Sequence, residues 1–553
     1  MSQPGAIATM LQNLRTLGDK PALFEVRGRE VVPVAGRELH LLVGRVRGLL
    51  TTLGVQPGDR VALLAGNSAR WVAADLGILA SGAIAVPLYS RQEPKELAAM
   101  LRDCEPTVLL VSDKDLADKL LEAWPEGRER TALFDLAFAH EPTAEPEHAH
   151  RPDDVVTIIY TSGTSGEAKG VMITSGNLDF MVPVTASRVE ELTGKRGHPD
   201  KVFHYLPFCF AGSRIALFTQ LVRPNPVLLS TDLTKVLDEM LAADPHYYLN
   251  VPAVLERIKA GVTAKIREKG GIGWTLYSRA LDANARILAG KGGLGDRAAV
   301  AIARKFVFPK IKEVLGKSLE FLICGSAPLS PETQSFFELM NVPVYQVYGL
   351  TETTAIVTID RARQPGASGE PGKVGHAIPG VEMRLGEGDE LLTRGPHIFH
   401  GYWNKPEISA EALVDGWFRT GDQAEIDAAG NLRIVGRVKN LIKPESGHWV
   451  APEPLEERLK EACEGAEHVV VIGHGRPFLG ALVAGTGLDV ARIQAAVDKV
   501  NADLPHYRRI RAFAHVGPAL TIESGLLTAN GKLRRKVIEA AHASAIAAMF
   551  SKP

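Results

Sequence analysis

The sequence predicts an α/β protein with a large N-terminal part built on a parallel sheet and a small α+β domain at the C-terminus. Strand-length apolar runs alternate with segments of helical spacing up to about Gly366. After Gly366 the chain changes to short runs separated by glycine, proline and asparagine, which is typical of antiparallel β structure. From near Arg437 strands and helices alternate again. With 553 residues the chain is too long for a single core, so we expect at least two domains.

The first alternating segments predict a sheet covered by helices. Apolar residues at helical spacing predict helices over 37–53 and 69–80. Continuous apolar runs predict buried strands over 61–64, 83–87 and 107–112. Strands that alternate with helices pair in parallel, so these segments belong to one sheet.

The same alternation continues towards the C-terminus. Further strands are predicted at 227–229, 247–250, 319–324 and 344–346, and a helical insertion at about 259–317. In the C-terminal domain we expect helices over 453–461 and 490–503 and a strand over 469–472.

The composition is that of an ordinary soluble globular protein. Hydrophobic residues make up 45% of the chain, charged residues make up 23%, and the net charge is -1. This balance argues against a nucleic-acid partner. The four cysteines are scattered without C-x-x-C spacing, which argues against a zinc site or a disulfide framework and fits small buried side chains in a reducing cytosol. We therefore expect a cytoplasmic protein.

The most informative motif is YTSGTSGEAKGV (160–171), which follows the apolar run 155–159. Its glycines let the backbone aim successive N–H groups at phosphate oxygens, its hydroxyls add donors, and Lys169 adds a positive charge. The segment fails the P-loop pattern, because Ala168 stands where a glycine belongs and Gly170 where a hydroxyl belongs. A polyphosphate loop of another kind is predicted.

Two further motifs offer groups that suit a nucleotide. In VYGLTETT (347–354), Tyr348 can stack on a base, Thr351 can hydrogen-bond a phosphate, and Glu352 can hold Mg²⁺. In WFRTGD (417–422), Asp422 follows a glycine turn and can accept both hydroxyls of a ribose.

The last two motifs bring basic residues to the predicted domain boundary and to the C-terminus. GRVKNLIKPESGHWVAPEPLE (436–456) combines basic residues with a glycine turn, and LLTANGKLRR (526–535) presents Lys532 in a turn. Taken singly, such lysines are usually solvated surface residues, but their joint occurrence with the other motifs is informative.

These five segments, in this order, resemble the signature motifs of the adenylate-forming superfamily, which includes acyl-CoA synthetases, luciferases and the adenylation domains of peptide synthetases. GDRVALLAGNSARW (58–71), CGSAPLS (324–330) and RGPHIFHGYWNKPE (394–407) extend the resemblance over essentially the whole chain. It implies a large N-terminal domain (1–438) of two α/β subdomains plus a β barrel, and a small mobile C-terminal α+β domain (439–553) that turns about a hinge at Lys439.

The resemblance also implies roles for individual residues. Phosphate contacts are assigned to Thr161, Ser162, Gly163, Thr164, Ser165, Gly166 and Lys169. Adenine contacts are assigned to Ser326, Ala327, Pro328 and Tyr348, with Gly349 beside them. Thr351 is assigned to the α-phosphate, and Thr161 and Glu352 are assigned to Mg²⁺. Asp422 and Arg437 are assigned to the ribose. Lys532 is assigned to a position between the α-phosphate and the substrate carboxylate. Acyl or CoA contacts are assigned to Phe210, Gly325, Lys443 and Gly447.

The implied reaction is activation of a carboxylic acid with ATP, followed by transfer of the acyl group to a thiol. Three features are similar to the long-chain acyl-CoA synthetase branch: the segment PHYYLNVPAVLERI (245–258), the helical insertion after it, and the spacing of LIKPESGHWVAPEPLE (441–456). The expected substrates are a fatty acid, ATP and CoA. A fatty acyl-AMP ligase that loads a carrier protein and an aryl-acid CoA ligase remain alternatives.

Other features are given a structural interpretation. The segment GKGGLG (290–295) matches a dinucleotide fingerprint but follows a polar helical stretch instead of a strand, so we expect no such site there. His204 and His448 are interpreted as structural residues. The sequence leaves open the preferred chain length, a homodimer, and a transient contact with a membrane surface.

Overall fold

The structure is a computed structural model that describes residues 4–551 apart from 163–167, 195–196, 289, 364–369, 446, 519 and 528–530. The elements of the first part of the chain are α1 (Ala6–Leu17), β1 (Pro21–Arg27), β2 (Glu30–Ala35), α2 (Gly36–Thr52), β3 (Arg60–Leu64), α3 (Ala69–Ala80), β4 (Ile84–Leu88), α4 (Pro94–Cys104), β5 (Val108–Val111), α5 (Lys114–Ala123), β6 (Thr131–Leu133), α6 (Phe134–Ala139), β7 (Val155–Ser162), β8 (Ala168–Thr174) and α7 (Ser175–Thr193).

The chain then forms a second set of alternating elements. They are β9 (Val202–His204), α8 (Ala211–Val222), β10 (Val227–Ser230), α9 (Val236–Ala243), β11 (Tyr247–Asn250), α10 (Pro252–Lys269), α11 (Gly271–Leu288), α12 (Leu294–Phe306), α13 (Phe308–Leu315), β12 (Leu322–Cys324), α14 (Pro331–Leu339), β13 (Val344–Tyr348), β14 (Thr358–Ile359) and β15 (His376–Ala377).

Short antiparallel strands and the C-terminal domain complete the fold. The antiparallel section contains β16 (Glu382–Leu385), β17 (Glu390–Arg394), β18 (Gly401–Tyr402), α15 (Pro406–Ala412), β19 (Leu413–Val414), β20 (Trp417–Ile426) and β21 (Leu432–Arg437). The C-terminal domain contains α16 (Glu453–Ala462), β22 (Ala466–Ile472), β23 (Leu479–Gly485), α17 (Val490–Asn501), β24 (Ile510–His515), α18 (Arg535–Ala541) and α19 (Ala543–Phe550).

Two large sheets confirm the two predicted α/β subdomains. Within the described residues, one sheet has the strand order β18-β8-β7-β4-β3-β5-β6, and the other has the order β15-β14-β13-β12-β11-β9-β10-β1-β2. Pairing is parallel from β4 through β3 and β5 to β6, and from β13 through β12, β11, β9 and β10 to β1. Helices that cross between parallel strands cover the sheet faces, as the alternating pattern predicts.

Local sequence explains where several of these helices begin. The Ser68 hydroxyl accepts a hydrogen bond from the backbone N–H of Trp71 and caps α3. Thr174 and Asn177 form a reciprocal capping box at the start of α7, directly after β8. Strand β12 begins three residues later than predicted, at Leu322, because the N–H of Glu320 instead bonds the carbonyl oxygen of His246 at 2.8 Å.

The predicted β barrel is wrong. The antiparallel section forms an open sheet in the order β16-β17-β20-β19, with β21 paired to β20, and over the described residues its strands do not close on themselves. Strand β18, which lies between β17 and β19 in the chain, pairs instead with β8 of the first large sheet.

The C-terminal domain has a core of its own. Strands β22, β23 and β24 form a three-stranded sheet, and residues such as Leu459, Val471, Ala481 and Val497 form one buried cluster beside it. Helix α19 packs on β23 and β24. The predicted small C-terminal α+β domain is therefore confirmed.

The structure agrees with the remaining structural interpretations. The GKGGLG segment follows α11 and runs into the first two residues of α12, so it belongs to the helical insertion and does not follow a strand. All four cysteines are free and buried. Among the described residues, none of the helices combines the length and the apolar character needed to cross a membrane.

Candidate active site

The phosphate motif lies on a hairpin at one side of the first large sheet. Strands β7 and β8 pair so that Thr161 lies opposite Lys169 and Tyr160 lies opposite Gly170. Gly163, Thr164, Ser165 and Gly166, which connect the two strands in the sequence, lie outside the described residues, as does the side chain of Ser162. The hairpin thus places the hydroxyl of Thr161 and the ammonium of Lys169 at the base of the predicted phosphate loop.

Tyr402 links this hairpin to Glu352. Strand β18 pairs with β8, with Tyr402 opposite Val171. The Lys169 ammonium lies 5.0 Å from the centre of the Tyr402 ring, and the Tyr402 hydroxyl donates to Oε1 of Glu352 at 2.9 Å. Burial and the Glu352 carboxylate raise the pKa of Tyr402, which keeps the phenol a hydrogen-bond donor. Tyr402 thereby contacts both Lys169 and Glu352.

Sequence reasoning missed Tyr402 as a site residue. The segment 394–407 contributed to the family resemblance, but nothing in it singled out this tyrosine. Its position depends on the pairing of a two-residue strand with β8, and this pairing joins residues more than 200 positions apart. No local pattern carries that information.

Asp422 is held by two partners that the sequence analysis also assigned to the nucleotide. It is 4% exposed, and its Oδ2 accepts a hydrogen bond from the Tyr348 hydroxyl at 2.6 Å. Its Oδ1 lies 2.8 Å from Nε of Arg437, which is its direct register partner across β20 and β21. Burial raises the pKa of Asp422, while Arg437, the Tyr348 hydrogen bond and Lys532 lower it.

Two lysines, one at the domain boundary and one in the C-terminal domain, interact electrostatically with the Asp422 carboxylate. Desolvation by the surrounding protein lowers the pKa of Lys532, as does the charge of Arg437, whereas Asp422 and Glu352 raise it. Desolvation likewise lowers the pKa of Lys439 to about 8, with further lowering by Arg437, Lys169 and Lys532. Both lysine residues retain solvent-exposed surface, so a ligand can reach them.

Seven side chains therefore converge from separate parts of the chain, and we call them the charged cluster: Lys169, Tyr348, Glu352, Asp422, Arg437, Lys439 and Lys532. Four of them are cations and two are carboxylates. Such a surplus of positive charge beside hard oxygen ligands suits a polyphosphate.

The assigned adenine segment lies beyond the ends of β12 and β13. Ser326 has a φ of 73°, and Ser326, Ala327 and Pro328 are all exposed. Gly325 packs so closely on the next strand that a Cβ would lie 2.7 Å from Cγ1 of Val347. At Gly349 a Cβ would lie 2.0 Å from the carbonyl oxygen of Ala355, so only glycine fits there.

Thr351 opens a 3-10 turn (Thr351–Thr353) directly after Gly349 and Leu350. The turn also carries Glu352, and it is fixed to the antiparallel section because the carbonyl oxygen of Glu352 accepts the N–H of Phe399 at 2.9 Å. Thr351 is only half-buried, which leaves its hydroxyl accessible beside the charged cluster.

The residues assigned to acyl or CoA binding are spread more widely. Phe210 lies just before α8, with its ring 5.6 Å from that of Tyr89. Lys443 lies on the C-terminal domain with its ammonium 5.1 Å from the Trp449 ring, and Gly447 is exposed with a φ of 80°. No recorded contact in the described part of the chain joins Lys443 or Gly447 to the charged cluster.

The two histidines noted in the sequence make structural contacts. His204 is buried, its Nε2 lies 2.6 Å from the Ser213 hydroxyl, and burial lowers its pKa to about 4. The ring of His448 stacks on that of Tyr507 at 4.4 Å.

The donor set near Glu352 fits a magnesium ion. Mg²⁺ prefers one or two carboxylate or hydroxyl oxygens together with phosphates and water. Of the two Glu352 oxygens, Oε1 accepts the Tyr402 hydrogen bond. Oε2 can still serve as a ligand, and the Thr161 hydroxyl lies on the hairpin that Tyr402 contacts.

Comparisons with known proteins agree with this arrangement. The family described as AMP-binding enzyme matches residues 11–403, and the AMP-binding enzyme C-terminal domain matches residues 439–553. The chain is 30% identical to the long-chain-fatty-acid–CoA ligase FadD15 of Mycobacterium bovis, over 91% of this chain and 90% of the relative.

Solved structures share the fold over nearly the full length. The adenylation domain of a carboxylate reductase from Mycobacterium chelonae superposes with a TM-score of 0.77 at 23% identity, over 100% of this chain and 92% of that one. ATP-bound MatB from Rhodopseudomonas palustris superposes with a TM-score of 0.74 at 23% identity, over 97% and 99% of the two chains. The chain belongs to the AMP-binding enzyme family, within the adenylate-forming superfamily.

Proposed function

We propose that this chain activates a long-chain fatty acid with ATP to an acyl-adenylate and then transfers the acyl group to CoA, releasing pyrophosphate and AMP. The observation that carries the proposal is the charged cluster, in which cations from both predicted domains surround the buried carboxylate of Asp422. The long-chain relative supports the choice of acid.

In the first step the fatty carboxylate attacks the α-phosphorus of ATP. A bond forms between a carboxylate oxygen and that phosphorus, and the bond to the pyrophosphate oxygen breaks. Both reactants are anions, so the step requires neutralisation and alignment more than covalent help. We assign Lys532 to the α-phosphate and the incoming carboxylate, and Lys169 and the loop before it to the β- and γ-phosphates.

The nucleoside is held by Asp422, Arg437 and Tyr348 of the charged cluster. Asp422 accepts the ribose hydroxyls, and Arg437 and Tyr348 fix its orientation through their bonds to its two oxygens. Segment 326–328 and the Tyr348 ring enclose adenine, and Thr351 contacts the α-phosphate. Mg²⁺ bound at Glu352 and Thr161 would supply further positive charge to the phosphate oxygens.

In the second step the CoA thiolate attacks the acyl carbon, and AMP leaves as the acyl–phosphate bond breaks. We assign Lys439 as the hinge between residues 1–438 and 439–553, about which the C-terminal domain turns between the two steps. The turn would withdraw Lys532 and bring the segment with Lys443 and Gly447 towards the adenylate. Phe210 and Gly325 are assigned to the acyl side. Separating two chemistries by a domain motion is a known use of such hinges.

The proposal is tested by offering the purified protein ATP, Mg²⁺ and CoA with saturated acids of increasing length and with hydroxycinnamic acids. We expect pyrophosphate release to be fastest with long-chain acids and mass spectrometry to detect the acyl-CoA product. An adenylate that accumulates without thioester would instead indicate a ligase for a carrier protein, and a preference for the aromatic acids would indicate an aryl-acid ligase. Absence of acid-dependent pyrophosphate release would refute all three.

A further inference from the structure

A group of metal-ligating side chains lies well outside the charged cluster in the sequence. The connection between α6 and β7 carries His148, His150 and Asp154. One ligand atom from each residue, a ring nitrogen or a carboxylate oxygen, lies within 4.8 Å of the corresponding atoms of the other two. Two imidazoles and one carboxylate form a donor set that suits divalent transition metals.

The end of α3 holds both histidines in place. The backbone N–H of His148 donates to the carbonyl oxygen of Ala80 at 2.9 Å. Its ring lies directly on Gly82, where a Cβ would approach Cγ of the ring to 2.6 Å. The rings of His148 and His150 meet edge to face, with their centres 4.8 Å apart. The ligands are thus positioned by contacts that do not depend on a metal.

A backbone hydrogen bond sets the tautomer of His150. Its Nε2 lies 2.8 Å from the carbonyl oxygen of Leu79, and because a carbonyl only accepts, Nε2 carries the proton. In the neutral ring the lone pair is then on Nδ1. Metal-bound histidines typically donate their other ring N–H to a carbonyl or carboxylate in this way.

The carboxylate of Asp154 is engaged by a neighbour that a metal can displace. The guanidinium of Arg151 lies 3.1 and 3.2 Å from Oδ1, and its side chain is 86% exposed. Oδ2 accepts the backbone N–H of Arg151 at 2.7 Å. When the exposed guanidinium of Arg151 moves away into solvent, Oδ1 becomes available to a metal. The backbone hydrogen bond to Oδ2 then still orients the carboxylate.

We propose that His148, His150 and Asp154 bind one divalent transition-metal ion of the Zn²⁺ class, with water completing its coordination. Side-chain movements that bring the three ligand atoms to typical zinc–ligand distances of about 2.0–2.2 Å close the site. The ion fastens the connection to the end of α3 directly before β7, the strand that leads into the phosphate loop. The role of the ion is structural, and it is independent of the acid that the enzyme uses.

The test uses the full-length, tag-free protein after chelator treatment and dialysis. Titration calorimetry with Zn²⁺ in the presence of excess Mg²⁺ measures affinity and stoichiometry. Absorption spectra with Co²⁺ identify nitrogen and oxygen ligands. We expect one ion per chain and a higher melting temperature with Zn²⁺. His150→Gln and His148→Ala should each weaken binding by at least about tenfold.

His140→Gln is the matched control, because His140 lies on the same connection but contacts Thr52 instead of the cluster. It should bind Zn²⁺ as the wild type does. The His148→Ala variant removes an exposed side chain, so its fold is expected to persist even where His150→Gln disturbs packing. Failure of the wild-type protein to bind, or equal binding by the wild type and both ligand variants, would overturn the proposal.

Discussion

The hydroxyl of Tyr348 donates a 2.6 Å hydrogen bond to the buried carboxylate of Asp422 and so joins the second large sheet to the antiparallel section. Tyr348 ends β13, and Asp422 lies on β20, 74 residues further along the chain. Arg437 occupies the other oxygen of the same carboxylate. The proposed ribose contact therefore depends on the correct packing of two separately built sheets.

Removing the Tyr348 hydroxyl should weaken nucleotide binding while leaving the fold intact. A hydrogen bond to a charged group contributes about 1.5–3 kcal/mol, so we expect Tyr348→Phe to raise the KM for ATP by about tenfold, with a smaller effect on kcat. Steady-state kinetics at saturating acid and CoA measure the change. Tyr345→Phe, on the same strand but outside the charged cluster, should leave the KM unchanged. Equal effects of the two variants would contradict the assignment of Asp422 and Tyr348.

Breaking a buried ion pair should strongly destabilise the N-terminal domain. Asp75 on α3 and Arg214 on α8 form two hydrogen bonds at 2.6 and 2.9 Å, with side chains 0% and 2% exposed. Removing one partner leaves an unpaired buried charge, so Asp75→Ala should cost about 3–5 kcal/mol in the free energy of unfolding. Urea unfolding followed by tryptophan fluorescence measures this.

The exposed pair between Arg70 and Asp135 provides the control for that measurement. Asp135 is 87% exposed, and such pairs contribute about 0–1 kcal/mol. Asp135→Ala should therefore leave the unfolding midpoint nearly unchanged. Unfolding midpoints that fall equally in Asp75→Ala and Asp135→Ala would show that burial of the ion pair does not determine how far its loss destabilises the protein.

Docking of the C-terminal domain should weaken as pH rises. Helix α16 faces α10 and α14, where Lys460 lies 3.8 Å from Glu256 and Arg267 lies 3.4 Å from Glu464. Desolvation raises the pKa of Glu461 above its ordinary value of 4.5, as do the hydrogen bond and charge of Glu332 and the charge of Glu457. The docked state therefore holds a proton that the undocked state releases.

The direction of this pH dependence follows from proton linkage. Because the pKa of Glu461 is higher when docked, the docked state binds more protons than the undocked state at pH values between the ordinary and the raised pKa, and docking loses stability as pH rises through the raised value. Glu461→Gln removes this titration, so the ratio of its adenylation rate to that of the wild type should increase with pH. Glu461 and Glu332 are both exposed, so added salt should reduce the effect. A ratio that stays flat with pH would contradict this account.

The sequence predicted the alternating elements closely because their patterns are local. The predicted helix 69–80 and strand 247–250 match α3 and β11 in the structure, and most other boundaries agree within two or three residues. Buried strands such as β3 and β4 are continuous apolar runs, and a capping serine marks the start of α3. The antiparallel section was harder to predict than the alternating elements. Its antiparallel strands were predicted correctly but the closed barrel was not, and the pairing of β18 with β8 is a long-range contact that no local pattern indicates.

The charged cluster was largely predictable from its motifs, because each motif carries its own chemistry. Lys169, Glu352, Asp422 and Lys532 were all named from sequence, and the structure brings them together. Tyr402 and the position of Lys439 beside Lys169 and Lys532 were not predictable, because both depend on contacts between distant parts of the chain. The roles assigned to Lys443 and Gly447 remain predictions.

The most direct test of the account compares acid-dependent pyrophosphate release by Lys532→Ala with that by Lys536→Ala. Calorimetry measures ATP binding by both variants. Lys532 faces Asp422 and Glu352, whereas Lys536 lies in α18. We expect Lys532→Ala to bind ATP within a few-fold of the wild type and to lose pyrophosphate release by at least about a hundredfold, and Lys536→Ala to behave as the wild type. Pyrophosphate release at the wild-type rate in Lys532→Ala would contradict the account.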